Sequence, residues 1–120
     1  MLHELKYDEK NDFLILTFKN HVLFTDVNSI VFGVDEILKG KPYRQVLVIM
    51  SEEYKVENRE TREALSKELS KLDVSEVAFV GLGSATRMVA KVLLKTGMIK
   101  MNGSFFKSQE EAGNWLKSKR

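Results

Sequence analysis

Two histidines, His3 and His21, are the residues that could bind a metal or move a proton near neutral pH. They fall on different elements, and neither has a carboxylate three or four positions along a helix. That pattern gathers too few ligands for a metal centre, and both side chains read as exposed or half-buried polar residues. The chain has no cysteine, which removes a thiol nucleophile, a disulfide scaffold and any Cys-ligated zinc or iron–sulfur site. No serine sits in a G-x-S-x-G elbow, and the adjacent acids Glu52 and Glu53 fit solvated loop charge. The spacing therefore assembles no acid, base and nucleophile set. The expectation is a non-enzymatic chain with no catalytic residue, no metal and no cofactor.

Anion binding has a better local pattern. In Val77 to Ala85, VAFVGLGSA, an apolar strand runs into Gly81-x-Gly83 and Ser84 then opens a helix. Such a turn can present backbone N–H groups to a phosphate. Gly81, Gly83, Ser84, Arg87 and Lys91 are the candidate anion-binding residues. Thr86 stands where a third glycine would complete G-x-G-x-x-G, and no P-loop lysine follows, so a tight strand-to-helix turn explains the same glycines. Arg87, Lys91 and Lys95 form a basic stripe that, with Lys100 and the tail Lys117 to Arg120, could face an anionic lipid headgroup or acidic partner; for a stripe this short a solvated helix side is the plainer reading. Phe105, Phe106 and Trp115, with Lys107 among them, read as core residues rather than a base-stacking platform.

The elements that position these residues alternate between strand and helix. His3 to Tyr7 predicts an edge strand and Phe13 to Phe18 a second one, with Asp8 to Asp12 turning the chain between them. Val27, Ile30, Val31, Val34, Ile37 and Leu38 share a helical side behind Thr25 and Asp26 as N-cap candidates, and Gly40 with Pro42 stops that helix. Val46 to Met50 and Val77 to Val80 are apolar throughout, as inner strands buried on both sides are. Between them Asn58 opens a helix with Leu65, Leu69 and Leu72 inward and a charge ladder of Arg59, Glu63, Lys67 and Lys71 outward. A further helix is predicted from Ser84 to Gly97, then a short strand around Phe105. The S-x-x-E spacing of Ser108 and Glu111 opens a last helix with Ala112, Trp115 and Leu116 inward. The pattern predicts an α/β sandwich of about five strands, mostly parallel, with four helices.

Residues 1–120 are expected to form one domain. The charged residues number 19 basic against 17 acidic, a balance too even for a nucleic-acid binder. No apolar run approaches the roughly 20 residues of a membrane span. The start Met1-Leu2-His3-Glu4 lacks the pattern of an export signal, so a cytoplasmic protein is expected.

The order of elements, the ending Phe105-Phe106-Lys107-Ser108-Gln109-Glu110-Glu111-Ala112-Gly113-Asn114-Trp115-Leu116, and Glu60-Thr61-Arg62-Glu63-Ala64 before it resemble the SpoIIAA-like, STAS-type domains. The likeness runs from about Phe13 onward. It is strongest to a small bacterial branch that ends in F-x-(S/T)-x-E-E-A-x-x-W-L. The resemblance implies a SpoIIAA-like sandwich and a regulatory module that binds another protein or a second copy of itself. Some relatives resemble lipid carriers, so a small anionic or amphipathic ligand is the alternative. The family's phosphoacceptor hydroxyl lies at a helix start that matches Val56 to Glu60 here, where Asn58 offers none. The resemblance thus implies a partner-facing region of Ser51, Glu57, Asn58, Arg59 and Thr61 without the usual phosphoswitch.

Overall fold

Asp8 reverses the chain at its first turn. Its carboxylate accepts hydrogen bonds from the backbone N–H groups of Lys10 (3.0 Å) and Asn11 (3.1 Å) and from Asn11 Nδ2 (2.7 Å). Asp12, at φ 58°, closes the turn by donating its N–H to the Asp8 carbonyl at 2.8 Å; aspartate tolerates that left-handed conformation. The turn joins strands β1 (Glu4–Asp8) and β2 (Phe13–Thr17), which pair antiparallel. The computed structural model describes residues 3–19, 22–50, 59–81 and 102–120.

Three further strands, β3 (Gln45–Ile49), β4 (Glu76–Val80) and β5 (Asn102–Phe106), add in parallel to give one sheet in the order β1-β2-β3-β4-β5. The strand period of two sends alternate residues to opposite faces. On one face lie the registered rows Leu5-Leu16-Val48-Phe79-Phe105 and Tyr7-Leu14-Val46-Val77-Gly103. Helices α1 (Val27–Leu38) and α2 (Arg59–Ser70) cover it with Ile30, Val34, Leu38, Leu65 and Leu69. The other face carries Lys6-Ile15-Leu47-Ala78-Ser104 and Glu4-Thr17-Ile49-Val80-Phe106. Helix α3 (Gln109–Ser118) packs there through Ala112 and Leu116, with Trp115 tilted 5.5 Å from Phe106. This is the mostly parallel α/β sandwich with an antiparallel start that the residue pattern predicts.

Some local details differ. A 3-10 turn (Phe24–Asp26) precedes α1, and the Asp26 carboxylate bonds back into that turn rather than capping the helix, because the turn already presents helical geometry to α1. Ser108 Oγ does accept from Glu111 N at 3.2 Å, but the Glu111 carboxylate reaches Lys107 N, one residue before the cap. Strand β5 begins at Asn102, earlier than the aromatic pair suggests. The helix predicted over Ser84 to Gly97 lies outside the described residues.

One side chain ties the two crossover helices together. Arg44 Nε donates to the Leu72 carbonyl just past α2 at 2.9 Å, joined there by Nη2, while Nη1 reaches the Leu38 carbonyl at the end of α1 at 3.4 Å. A guanidinium there meets carbonyls at the helix ends, of which that of Leu38 also accepts the Lys41 N–H at 3.1 Å, and the negative end of both dipoles. Replacing it by a chain of similar length without the charge, Arg44→Met, is expected to cost about 2–3 kcal/mol in urea unfolding, since hydrogen bonds from a charged donor are lost at both ends. The turn makes a pH prediction. The Asn11 side-chain bond, with its backbone N–H and that of Lys10, holds the Asp8 carboxyl below its usual 3.8. A depressed folded value means the stabilisation is complete above the unfolded pKa and fades as pH falls through the folded one. The gap in thermal midpoint between the parent and Asp8→Ala should therefore be wide at pH 7 and narrow near pH 2.5.

Candidate functional site

Ligand sites on parallel sheets lie at the carboxyl ends of the strands, and here that edge gathers most of the chemistry. Beyond the sheet ladder, Phe18 N donates to the Ile49 carbonyl and Met50 N to the Val80 carbonyl, both at 2.9 Å. The strands thus stay paired one residue past their ends. Gly81 follows β4 at φ 91°, and a Cβ built on it would lie 1.9 Å from the Met50 carbonyl oxygen. Of the candidate anion-binding residues only Gly81 is described, and the close approach of Met50 by itself demands glycine there. Gly83, Ser84, Arg87 and Lys91 lie outside the described residues.

His3 sits on the same edge, because β1 runs antiparallel and Glu4 pairs with Thr17. Contrary to the exposed or half-buried residue expected from its sequence position, its side chain is 1% exposed. Nε2 lies 3.2 Å from Asp26 Oδ2, which also accepts the Leu23 N–H at 3.0 Å. The ring meets Phe18 edge-on at 5.1 Å and 84°. A carboxylate on Nε2 favours the tautomer with its proton there, which leaves Nδ1 as a buried acceptor without a hydrogen-bond partner. A general base must reach the proton it removes; an imidazole enclosed this way instead ties the start of β1 to the start of α1. Sequence spacing missed this pair because its partners are 23 residues apart.

Of the partner-facing set, Ser51, Glu57 and Asn58 lie outside the described residues, and Arg59 is placed by its backbone as the first residue of α2. Thr61 corrects the expectation. It is 0% exposed, so its hydroxyl does not face a partner or a kinase. The reason was available in the sequence: Thr61 stands four residues before Leu65 and eight before Leu69, on the buried stripe of α2, a helix that also touches the 3-10 turn. Among the described residues no three His, Asp or Glu side chains converge as a metal site, and no helix is long and apolar enough to cross a membrane.

The family described as a domain of unknown function, DUF7793, matches residues 7–120. The chain belongs to that family. None of the curated proteins matches it. Among solved structures, this DUF7793 chain is similar to an uncharacterized protein of the DUF3478 family, with a SpoIIAA-like fold, from Shewanella loihica PV-4. The two share 13% identity at a TM-score of 0.65, over 95% of this chain and 91% of the other. At that identity the likeness shows the fold, which is the SpoIIAA-like fold of the expected family.

The edge yields a paired prediction. Gly81→Ala adds a Cβ into a backbone carbonyl as well as forcing a left-handed conformation. Gly40, at φ 77°, has open space around it. Gly40→Ala is expected to cost about 1 kcal/mol from backbone strain alone, and Gly81→Ala about 3 kcal/mol or more. Urea denaturation of the two variants side by side reads the difference.

Proposed function

We propose that the protein is a non-enzymatic regulatory module of STAS type that works by binding protein, and that it does so without the phosphoswitch of its better-known relatives. The observation that carries this reading is the burial of Thr61. Asn58 supplies no hydroxyl where the family carries its acceptor, and Thr61, the nearest hydroxyl inside α2, is sealed in the core. What further supports it is the enclosure of His3, whose side chain is 1% exposed and so is not offered to a substrate; His21 lies outside the described residues. The SpoIIAA-like fold of the relative is consistent with interaction. On this reading the segment from Ser51 and the start of α2 meet the partner through shape and fixed charge, and the glycines from Gly81 serve the turn rather than a bound anion.

Mass spectrometry of freshly purified protein tests the proposal in two stages. Under native conditions the expected masses are the bare chain or whole multiples of it, and a lipid or nucleotide that survives purification would instead establish a carrier. After incubation with ATP and a kinase of the anti-sigma type, the intact mass should be unchanged. Stoichiometric phosphate on Ser51 or Thr61 would restore the phosphoswitch and overturn the reading.

A further inference from the structure

The outer side of α1 stands apart from the other described surfaces. Val27, Ile30, Val34 and Leu38 point into the core, yet Phe32 in mid-helix is 68% exposed. On the turn that feeds the helix, Leu23 and Phe24 are 45% and 53% exposed. Single exposed apolar residues are ordinary; a cluster of large ones on one short segment marks a contact surface.

Charge says what kind of contact. From Val22 to Leu38 the chain carries Asp26, Asp35 and Glu36 and no cation, although the protein as a whole is at +2. Asp35 and Glu36 follow Phe32 by three and four residues, which places them beside its ring on the helix surface. Their side chains are 48% and 49% exposed, and the cations near them, Arg44 at 3.9 Å and Lys39 at 3.4 Å, lie toward the end of the helix.

We infer that this face docks a cationic amphipathic helix of a partner protein. Its apolar side would cover Phe32 and the Leu23–Phe24 turn, and its lysines or arginines would meet Asp35 and Glu36. The inference rests on the protein-binding reading above and names the chemistry of the partner. A second copy of this chain is a poor occupant, because the stretch from Val22 to Leu38 brings carboxylates and no cation of its own to a pairing with itself, so the acids of the two copies repel. An anionic membrane is disfavoured by the same repulsion.

The probe is a fluorescein-labelled 18-residue peptide of leucine and lysine, patterned so that a helix segregates the two, with a scrambled peptide of the same composition as control. Fluorescence anisotropy with the full chain should show the patterned peptide binding at least about tenfold more tightly than the scrambled one. Phe32→Ser should weaken it by about tenfold or more while the far-ultraviolet dichroism stays that of the parent, and Glu36→Lys should weaken it and flatten its salt dependence. Equal affinity for the scrambled peptide, unchanged affinity in Phe32→Ser, or Phe32-dependent binding to phosphatidylglycerol vesicles would overturn the inference. Its failure alongside clean native mass spectra would leave the protein-binding module standing with its contact surface elsewhere. A co-purifying lipid would sink the module reading whatever the peptide did.

Discussion

Two crossover helices on one face of a mostly parallel sheet end side by side, and both bring the negative ends of their dipoles to the edge where the next strands begin. The structure answers this with Arg44, whose guanidinium meets the carbonyls of Leu38 and Leu72 from the start of β3. Its own carbonyl accepts the N–H and hydroxyl of Ser75, which brings β4 in beside β3. One residue thus links the ends of both helices to the start of two central strands. A lysine could not replace it, because a single ammonium lacks the fork that reaches two carbonyl sites at once.

The opposite edge is held by contact rather than charge. Gly81 comes so close to the Met50 carbonyl that no side chain fits between them, and His3 is locked against Phe18 and Asp26. The two edges therefore differ in kind. The edge at Arg44 is polar and extends through Gln45, whose amide bonds both Glu76 and the Leu116 carbonyl at 2.7 Å and so fastens α3 to the sheet. The edge at Gly81 is packed close and leads into the segments where the sequence places its candidate binding residues.

Most of the architecture was legible from residue order. Val46 to Met50 and Val77 to Val80 read as inner strands because unbroken apolar runs of that length have no solvent side, and they pair as neighbours. Gly40, the Asp8 to Asp12 turn and Ser108 marked their boundaries through backbone chemistry that acts within a few residues. What stayed hidden depends on distance. His3 looked like a polar end because its partner lies 23 positions away and had itself been read as a cap. Thr61 looked like a surface hydroxyl because it is polar, although its spacing from Leu65 and Leu69 put it on the buried side of α2. The Arg44 bonds to Leu38 and Leu72 had no signature at all, since they depend on where two helices end in space.

The strand order in space, β1-β2-β3-β4-β5, is also the order along the chain. No strand has to be inserted between two that are already paired. As the polypeptide leaves the ribosome, the sheet can therefore grow by addition at one edge, starting from the hairpin whose contacts are most local. Its two faces do not mature together, however. Among the described elements, the face under α1 and α2 closes as each crossover is completed, whereas Phe13, Leu47, Ala78 and Val80 gain Ala112 and Leu116 only when α3 arrives. A nascent chain stalled before residue 109 would lack the α3 contacts on that apolar face, the kind of exposed surface that chaperones bind.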